Sequence, residues 1–291
     1  MKIDDLKIFV AVASQTSLRE AAHVLSMQPG TVSKVIRRIE GYYKQELFHR
    51  TGSQWGLTSA GRQLHQRAVE LLAVNDTIET EMGQPQRLHL RCSGSEVLQS
   101  RFLGMITQPL LSRFGDVTVE AFMDEGCERL RRHQVDVALV STSDEQPMVA
   151  GIQAIHLADS QFVIAAGTAH PLAEKAGQAI PITEVIAYPF VIPTRKIYGE
   201  TGSQLSTDGW HEEAFARRTG ARVDSVSALL ALMKTQAFLA YMPDYVAEQN
   251  GFQTIRTTGC PYQCLQRIWL CFHEPVRAGW INTLAGTLSQ P

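Results

Sequence analysis

The chain has 291 residues, 44% of them hydrophobic and 19% charged, enough for one large domain or two to three smaller ones and too apolar for a disordered protein. No uninterrupted apolar run reaches the roughly 18–20 residues of a membrane-spanning helix. The acids of Met1-Lys2-Ile3-Asp4-Asp5-Leu6 stand where a signal peptide has its apolar core, so a cytoplasmic location is expected.

The net charge of −2 divides unevenly. Residues 1–62 hold nine Lys/Arg against five Asp/Glu, and the remainder hold 18 against 24. A basic head on an acidic body suits a nucleic-acid-binding module joined to something else.

In chain order, Asp4 or Asp5 is expected to cap a first helix whose Leu6, Phe9, Val10 and Ala13 recur at helical spacing. Ser17-Leu18-Arg19-Glu20 matches a capping box and opens a second helix through Ala21, Ala22 and Leu25. A turn around Ser26-Met27-Gln28 follows, and Pro29 fits the first turn of a third helix, where its missing N–H does no harm. That helix turns Val32, Ile36 and Ile39 inward and Thr31, Ser33, Lys34, Arg37 and Arg38 outward. Two short helices, a tight turn and a third helix with a basic outer face have the shape of a helix-turn-helix, although spacing alone fits a generic surface helix equally well.

One long helix is expected from Thr58 to about Met82. Its Leu64, Ala68, Leu71, Asn75 and Ile78 follow the steps of a coiled-coil seam, where a polar Asn75 fixes register at some cost in stability. Gly83-Gln84-Pro85 ends it. Beyond Arg87 the pattern alternates. Strand-like segments are Leu88–Cys92, Val117–Phe122, Val135–Val140, Phe162–Ala166, Phe190–Ile192 and Ile268–Phe272. Helical ones are Val97–Phe114, Glu128–His133, Asp208–Arg218, Ala228–Lys234 and Tyr245–Gln249. Such alternation points to α/β architecture with largely parallel sheets.

The five cysteines are odd in number, lack a secreted-scaffold spacing and supply no second pair for a tetrahedral zinc site, so they read mostly as small buried residues. No metal or cofactor is expected. No Gly-x-Ser-x-Gly elbow, phosphate loop, His-Glu-x-x-His or dinucleotide fingerprint occurs, which argues against an enzyme.

Residues 6–61 carry a resemblance along their whole length. Leu6, Phe9, Val12, Ser17-Leu18, Ala21-Ala22, Leu25, Val32-Ser33, Ile36, Ile39-Glu40, Leu47-Phe48, Arg50 and Leu57-Thr58-Ser59-Ala60-Gly61 follow, without a gap, the pattern of the LysR-type winged helix-turn-helix. The body resembles that family's effector region more loosely, through Val135-Asp136-Val137-Ala138, His170-Pro171-Leu172-Ala173, Tyr188-Pro189-Phe190-Val191, Met242-Pro243 and Ile268-Trp269-Leu270. The resemblance implies a multi-domain fold: an all-α winged helix-turn-helix head over residues 1–58, a linker and dimerisation helix over 59–86, and a two-lobed α/β effector domain like a periplasmic binding protein over 87–291. Lobe 1 would take about 87–161 plus 265–291, and lobe 2 about 162–264. Leu64, Ala68, Leu71, Asn75 and Ile78 would then face a second subunit.

For DNA, the resemblance places Gln28, Pro29, Thr31, Ser33 and Lys34 toward base edges in the major groove, Gln28 pairing with adenine and Thr31 and Pro29 touching thymine methyls. Arg37, Arg38 and Lys44 would hold phosphates, unless their face is simply solvated. Arg50 would tie the wing to the helices. Three departures narrow the carry-over. Pro29 replaces the family's usual Gln, Tyr43-Lys44 replaces the usual Leu-Gly, and the wing Thr51-Gly52-Ser53-Gln54-Trp55-Gly56 lacks the basic residue that enters the minor groove.

In the body, a strand end at Cys92-Ser93-Gly94-Ser95 leads into a helix start that favours an anion. Ser93, Ser95, Met123, Asp124, Ser141, Thr142, Pro193 and Thr194 would line an effector cleft, with Arg195 and Lys196 nearby as partners for a carboxylate. Glu96 complicates an anionic ligand, and Ala237-Phe238-Leu239, in place of the usual Gly-x-Gly, would narrow the cleft. The expected partners are an approximately palindromic DNA duplex, a small-molecule effector of possible anionic character and a second copy in a homodimer or homotetramer; RNA polymerase is admitted as a further partner, and no membrane. Two other readings stand beside this one: a DNA-binding redox sensor using Cys260 and Cys264, and a solute-binding protein or enzyme that would leave residues 1–82 without a purpose.

Overall fold

The computed structural model describes residues 1–291 except 16, 52–53, 82–86, 125, 133, 144–146, 148, 176, 200–205, 274–279 and 289–291. The expected end of the long helix at Gly83-Gln84-Pro85, the tip of the wing and the side chain of Arg50 lie outside the described residues.

The head opens with α1 (Ile3–Ala13), which buries Leu6, Phe9 and Val12 on one face. The N-cap residue is Lys2, not Asp4 or Asp5, although Asp5 takes part in the cap from the third helical position. The helix starts before them, and the Lys2 backbone N–H donates back to the Asp5 carboxylate at 3.0 Å. In α2 (Leu18–Val24) the Ser17 hydroxyl accepts from the Glu20 N–H at 3.2 Å, the N-cap bond expected of that sequence. Helix α3 (Pro29–Tyr43) begins with Pro29 in its first turn and buries Val32, Val35, Ile36 and Ile39. It ends on Lys44 in the left-handed conformation (φ 54°, ψ 37°), so a lysine does what the family assigns to glycine.

A hairpin of β1 (Phe48–Thr51) and β2 (Gln54–Leu57) follows, seated by Phe48 against Trp55 at 5.3 Å. Thr58 starts α4 (Ser59–Glu81), donating to the Glu46 carbonyl and accepting from the Gly61 N–H at 2.9 Å. Gly61 is required there, because a Cβ would lie 2.0 Å from the Leu47 carbonyl oxygen.

The body runs through β3 (Arg87–Gly94), α5 (Glu96–Arg113), β4 (Asp116–Met123), α6 (Glu128–Arg131), β5 (Val137–Thr142), β6 (Ile152–Ala166), a 3-10 turn (Ala173–Lys175), β7 (Ile180–Pro181), α7 (Ile182–Val185) and β8 (Pro189–Pro193). It continues with β9 (Arg218–Val223), α8 (Val226–Met233), β10 (Leu239–Pro243), α9 (Asp244–Gln249), β11 (Gln253–Ile255), β12 (Thr257–Thr258), β13 (Leu265–His273) and α10 (Trp280–Leu288). The main sheet has the order β4-β3-β5-β13-β6-β10-β8-β9, with β11 also on β6 and a separate β7–β12 pair. Pairing is parallel toward both outer ends and antiparallel across the middle, so the sheet is mixed rather than largely parallel.

The middle carries the organisation. Strand β6 pairs with β13 up to Gln161↔Leu265 and then, from Phe162↔Pro243, with β10 and β11. Only its last third, Phe162–Ala166, is legible as a strand from the sequence. Buried Leu90, Leu98, Ile106 and Leu270 belong to the same apolar core as Phe190, Leu229, Leu239 and Met242.

Residues 208–218 do not form the expected helix; they run as turns until β9 starts at Arg218. The reason is tertiary. Arg217, with no exposed side-chain surface, pairs with the equally buried Asp208 at 2.7 Å and with Glu212 at 2.9 Å, and its guanidinium lies 5.0 Å from the Trp210 ring centre. These bonds close the segment on itself and override its helical composition.

Candidate nucleic-acid interface and interlobe cleft

The outer face of α3 is set by helical period. With Val32, Val35, Ile36 and Ile39 against the head core, the chain must turn Gln28, Pro29, Thr31, Lys34, Arg37 and Arg38 to solvent, and all six are exposed. Ser33 is half-buried at the edge of that face.

Arg38 is not simply a free phosphate ligand. Its guanidinium pairs with Asp5, whose side chain is 5% exposed. Burial works to raise the Asp5 carboxyl, but the Lys2 N–H and the Arg38 charge outweigh it and hold the group below its usual value. The ion pair therefore locks α3 against α1 while leaving Arg38 61% exposed.

The expected seam of α4 divides. Ala68 is 1% exposed and Leu64 packs beside it in the head's own core with Leu72. Residues Leu71, Val74 and Ile78, at 46%, 53% and 54% exposure, form a separate apolar stripe that is open to solvent. Ala68 is thus corrected from an intersubunit to an internal position, because it is buried in the same cluster as Phe9 and Val12, while Leu64 is partly buried against that cluster. Asn75 is half-buried next to the open stripe.

Between the lobes lies a cleft of ≈ 320 Å³ lined by Ser95, Glu96, Met123, Asp124, Arg195, Ile197 and Val226. Of the expected residues it brings together Ser95, Met123 and Asp124. Ser95 stands before the 18-residue helix α5, is 4% exposed, and its hydroxyl has no hydrogen-bond partner among the described residues. Gln99 locks this turn by donating to the Gly94 and Phe122 carbonyls at 2.7 and 2.8 Å. Across the cleft, Ser227 donates to Glu96 at 3.3 Å, and Arg195 donates to the Asp224 carbonyl at 2.6 Å.

The remaining expected residues do not line this cleft. Ser93 is fully buried, its hydroxyl unpartnered among the described residues. Ser141 donates to the Tyr198 carbonyl at 3.4 Å, and Thr142 accepts from the Trp269 indole at 3.1 Å. Pro193 accepts from the Thr207 hydroxyl, and Thr194 donates twice to the Val223 carbonyl. Ser141 is thus turned to the fully buried Tyr198 and Thr142 to Trp269, and neither faces the cleft. Phe238 does not line the cleft either; a Cβ on Gly220 of β9 would lie 2.7 Å from its ring. Sequence reasoning missed Ile197, Val226 and Ser227, whose types carry no signal that separates a cleft wall from a core.

The five cysteines are free thiols, and two of them, Cys127 and Cys271, stand next to each other. The Cys271 thiol donates to the Cys127 sulfur, which lowers Cys127 against the opposing effect of burial. Burial pushes Cys92 and Cys264 up to about 12, so Cys264 is a poor thiolate source and the expected Cys260/Cys264 exchange gains no geometric support. No cluster that could hold a metal occurs among the described residues, and none of their helices is long and apolar enough to cross a membrane.

A three-helix head with a hairpin wing, a long connecting helix and a two-lobed mixed α/β body together define a regulator of the winged helix-turn-helix class. Residues 3–62 match the model described as "Bacterial regulatory helix-turn-helix protein, lysR family", and residues 83–276 match "LysR substrate binding domain". The chain belongs to the LysR family of transcriptional regulators. It is 29% identical over 194 residues to the HTH-type transcriptional regulator CrgA of Neisseria meningitidis, covering 62% of this chain and 64% of that one. It therefore spans less than two thirds of the length of that curated relative. In fold it is similar to a full-length OxyR variant of Pseudomonas aeruginosa, with a TM-score of 0.65, 15% identity and coverage of 100% and 95%. It is also similar to ArgP of Mycobacterium tuberculosis, with a TM-score of 0.61, 18% identity and coverage of 98% and 97%.

Proposed function

We propose that this chain is a sequence-specific DNA-binding regulator, not an enzyme, acting in the cytoplasm and responding to a small molecule between its two lobes. The observation that carries the reading is the exposed face of α3, where Gln28, Pro29, Thr31 and Lys34, with Ser33 at the edge, stand together at the helix start. An α-helix end of this kind reaches base edges in the major groove, and Gln28 and Lys34 supply donors that a purine edge accepts. Arg37 holds phosphate, and Arg38 does so only with what its bond to Asp5 leaves free.

Residues 1–58 form the reading head, 59–86 the linker, and 87–291 the sensor, divided into lobes where β6 exchanges partners at Gln161 and Phe162. The open stripe Leu71, Val74 and Ile78, with Asn75 beside it, pairs with a second copy, giving a homodimer or a homotetramer built from such dimers. Two heads related by a two-fold axis require an approximately palindromic operator, and RNA polymerase is a further partner of the assembled complex.

The cleft suits an anionic effector. Ser95 offers an unsatisfied hydroxyl at the start of α5, and Arg195 stands opposite, while Glu96 is held by Ser227. A ligand that prefers one lobe arrangement shifts an equilibrium that already exists, which is how occupancy reaches the heads. Selection of bound duplexes from a random-sequence pool tests the DNA reading. An enriched motif with two-fold symmetry supports it, and enrichment of no motif above the input pool contradicts it.

A further inference from the structure

Lobe 2 contains a second cavity of ≈ 470 Å³, larger than the interlobe cleft and walled by residues 161–164 of β6, residues 209–215 and residues 254–264. Its chemistry is uneven. Trp210, His211, Phe215 and Tyr262 supply aromatic surface, Arg256 supplies a permanent cation, and no carboxylate occurs among the described lining residues. Arg256 is exposed and has no acidic partner among the described residues.

The aromatic wall is held in advance. The His211 and Tyr262 rings stack at 3.9 Å and 21°, and Phe215 meets Tyr262 edge-on at 6.0 Å. The Trp210 indole N–H donates to the Phe215 carbonyl at 2.7 Å. Beneath them, the buried Arg217–Asp208 pair and the Glu212 bond fix the turn-rich segment. A buried ion pair contributes little net stability over an apolar replacement, but it specifies one arrangement. Here that arrangement presents Trp210, His211 and Phe215 to the cavity without a helix to carry them.

We propose that this cavity is a second small-molecule site, separate from the interlobe cleft, for a planar aromatic ligand bearing one anionic group. The rings take the flat face through stacking and edge contacts. Arg256 takes the anion, bidentate in the case of a carboxylate. The volume lies within the range of small-molecule pockets. Because β6 lines the cavity and continues into lobe 1, occupancy stiffens the strand that joins the lobes.

The test titrates the full-length chain with benzoate by calorimetry, using benzyl alcohol and cyclohexanecarboxylate as companions. Arg256→Gln and Tyr262→Ala each weaken benzoate binding by about tenfold or more, the loss of a charge-assisted contact or a stacking face. Lys234→Gln, an exposed cation that lines neither the cavity nor the interlobe cleft, leaves it unchanged. Benzyl alcohol binds more weakly than benzoate and ignores Arg256→Gln, and cyclohexanecarboxylate binds more weakly because it lacks the ring face. Cys260 lines the cavity, so bound benzoate also slows its alkylation. Binding that survives both cavity variants but disappears with Arg195→Gln places the molecule in the interlobe cleft and overturns the proposal. Absence of both heat and Cys260 protection overturns it as well. Equal binding of cyclohexanecarboxylate overturns the aromatic requirement. None of these outcomes bears on whether the head binds DNA.

Discussion

Gly199 has no Cβ because Ser141 stands in its place: an added Cβ would lie 2.2 Å from the Ser141 hydroxyl oxygen. Gly199 also has φ +87°, a conformation side chains resist. Its neighbour Tyr198 is fully buried and accepts through its carbonyl from Ser141 at 3.4 Å and from Gln266 at 3.3 Å. The segment that follows β8 is thereby pinned to the central strands β5 and β13. Gly199→Ala is expected to destabilise the body by about 2 kcal/mol or more, combining steric overlap with backbone strain. Adding Ser141→Ala removes the oxygen and leaves Cβ atoms in ordinary contact, so the double variant recovers the steric share and not the strain. Thermal unfolding of the four proteins in the cycle checks this, and strictly additive losses would speak against the contact.

The Asp5–Arg38 pair gives the head a defined acid response. The Asp5 carboxyl lies below its ordinary 3.8, so the folded state favours the ionised form. Its contribution is fully present above the unfolded value near pH 4 and is lost as pH falls through the lowered folded value. Arg38→Ala is expected to cost about 1 kcal/mol at neutral pH, modest because the guanidinium is mostly solvated. The difference between wild type and variant should shrink as pH falls below about 4. Unfolding curves that keep a constant gap into acid would contradict the assignment.

The rotation of α4 separates two kinds of apolar residue that the sequence had strung on one seam. Leu71→Asp with Ile78→Asp should yield monomers in sedimentation velocity while leaving the melting of the head unchanged. Ala68→Asp should instead unfold the head, since a buried unpaired charge costs about 3–5 kcal/mol. Persistent dimers in the first variant would remove the open stripe as the intersubunit surface.

The head was more legible than the body because its signals are local. The Ser17 cap, Pro29 in a first turn and the 3.6-residue spacing of Val32, Ile36 and Ile39 each act within a few residues. Even there, Arg38 was read as a DNA contact because its partner Asp5 is far away in sequence. In the body, residues 208–218 carry helix-compatible side chains, yet Arg217 reaches back to Asp208 and Glu212 and the backbone follows. The first half of β6 shows no clean alternation because both of its faces are half-covered. The hydrogen bond between Cys127 and Cys271 joins a loop to a strand near the end of the chain, and no spacing rule announces it. Ser95 was found by its place before a helix; Ile197 and Val226 look like any core residue until the lobes come together.

The most direct measurement compares the affinity of wild type and the Ser33→Ala/Lys34→Ala variant for the selected operator and for unrelated duplex of the same length. Both residues lie outside the buried face of α3, so folding and dimerisation should be retained. The reading-head account predicts that the variant loses operator preference, falling by about 1–3 kcal/mol per lost base contact toward its binding of unrelated duplex. Unchanged operator affinity and preference in a folded dimer would contradict it.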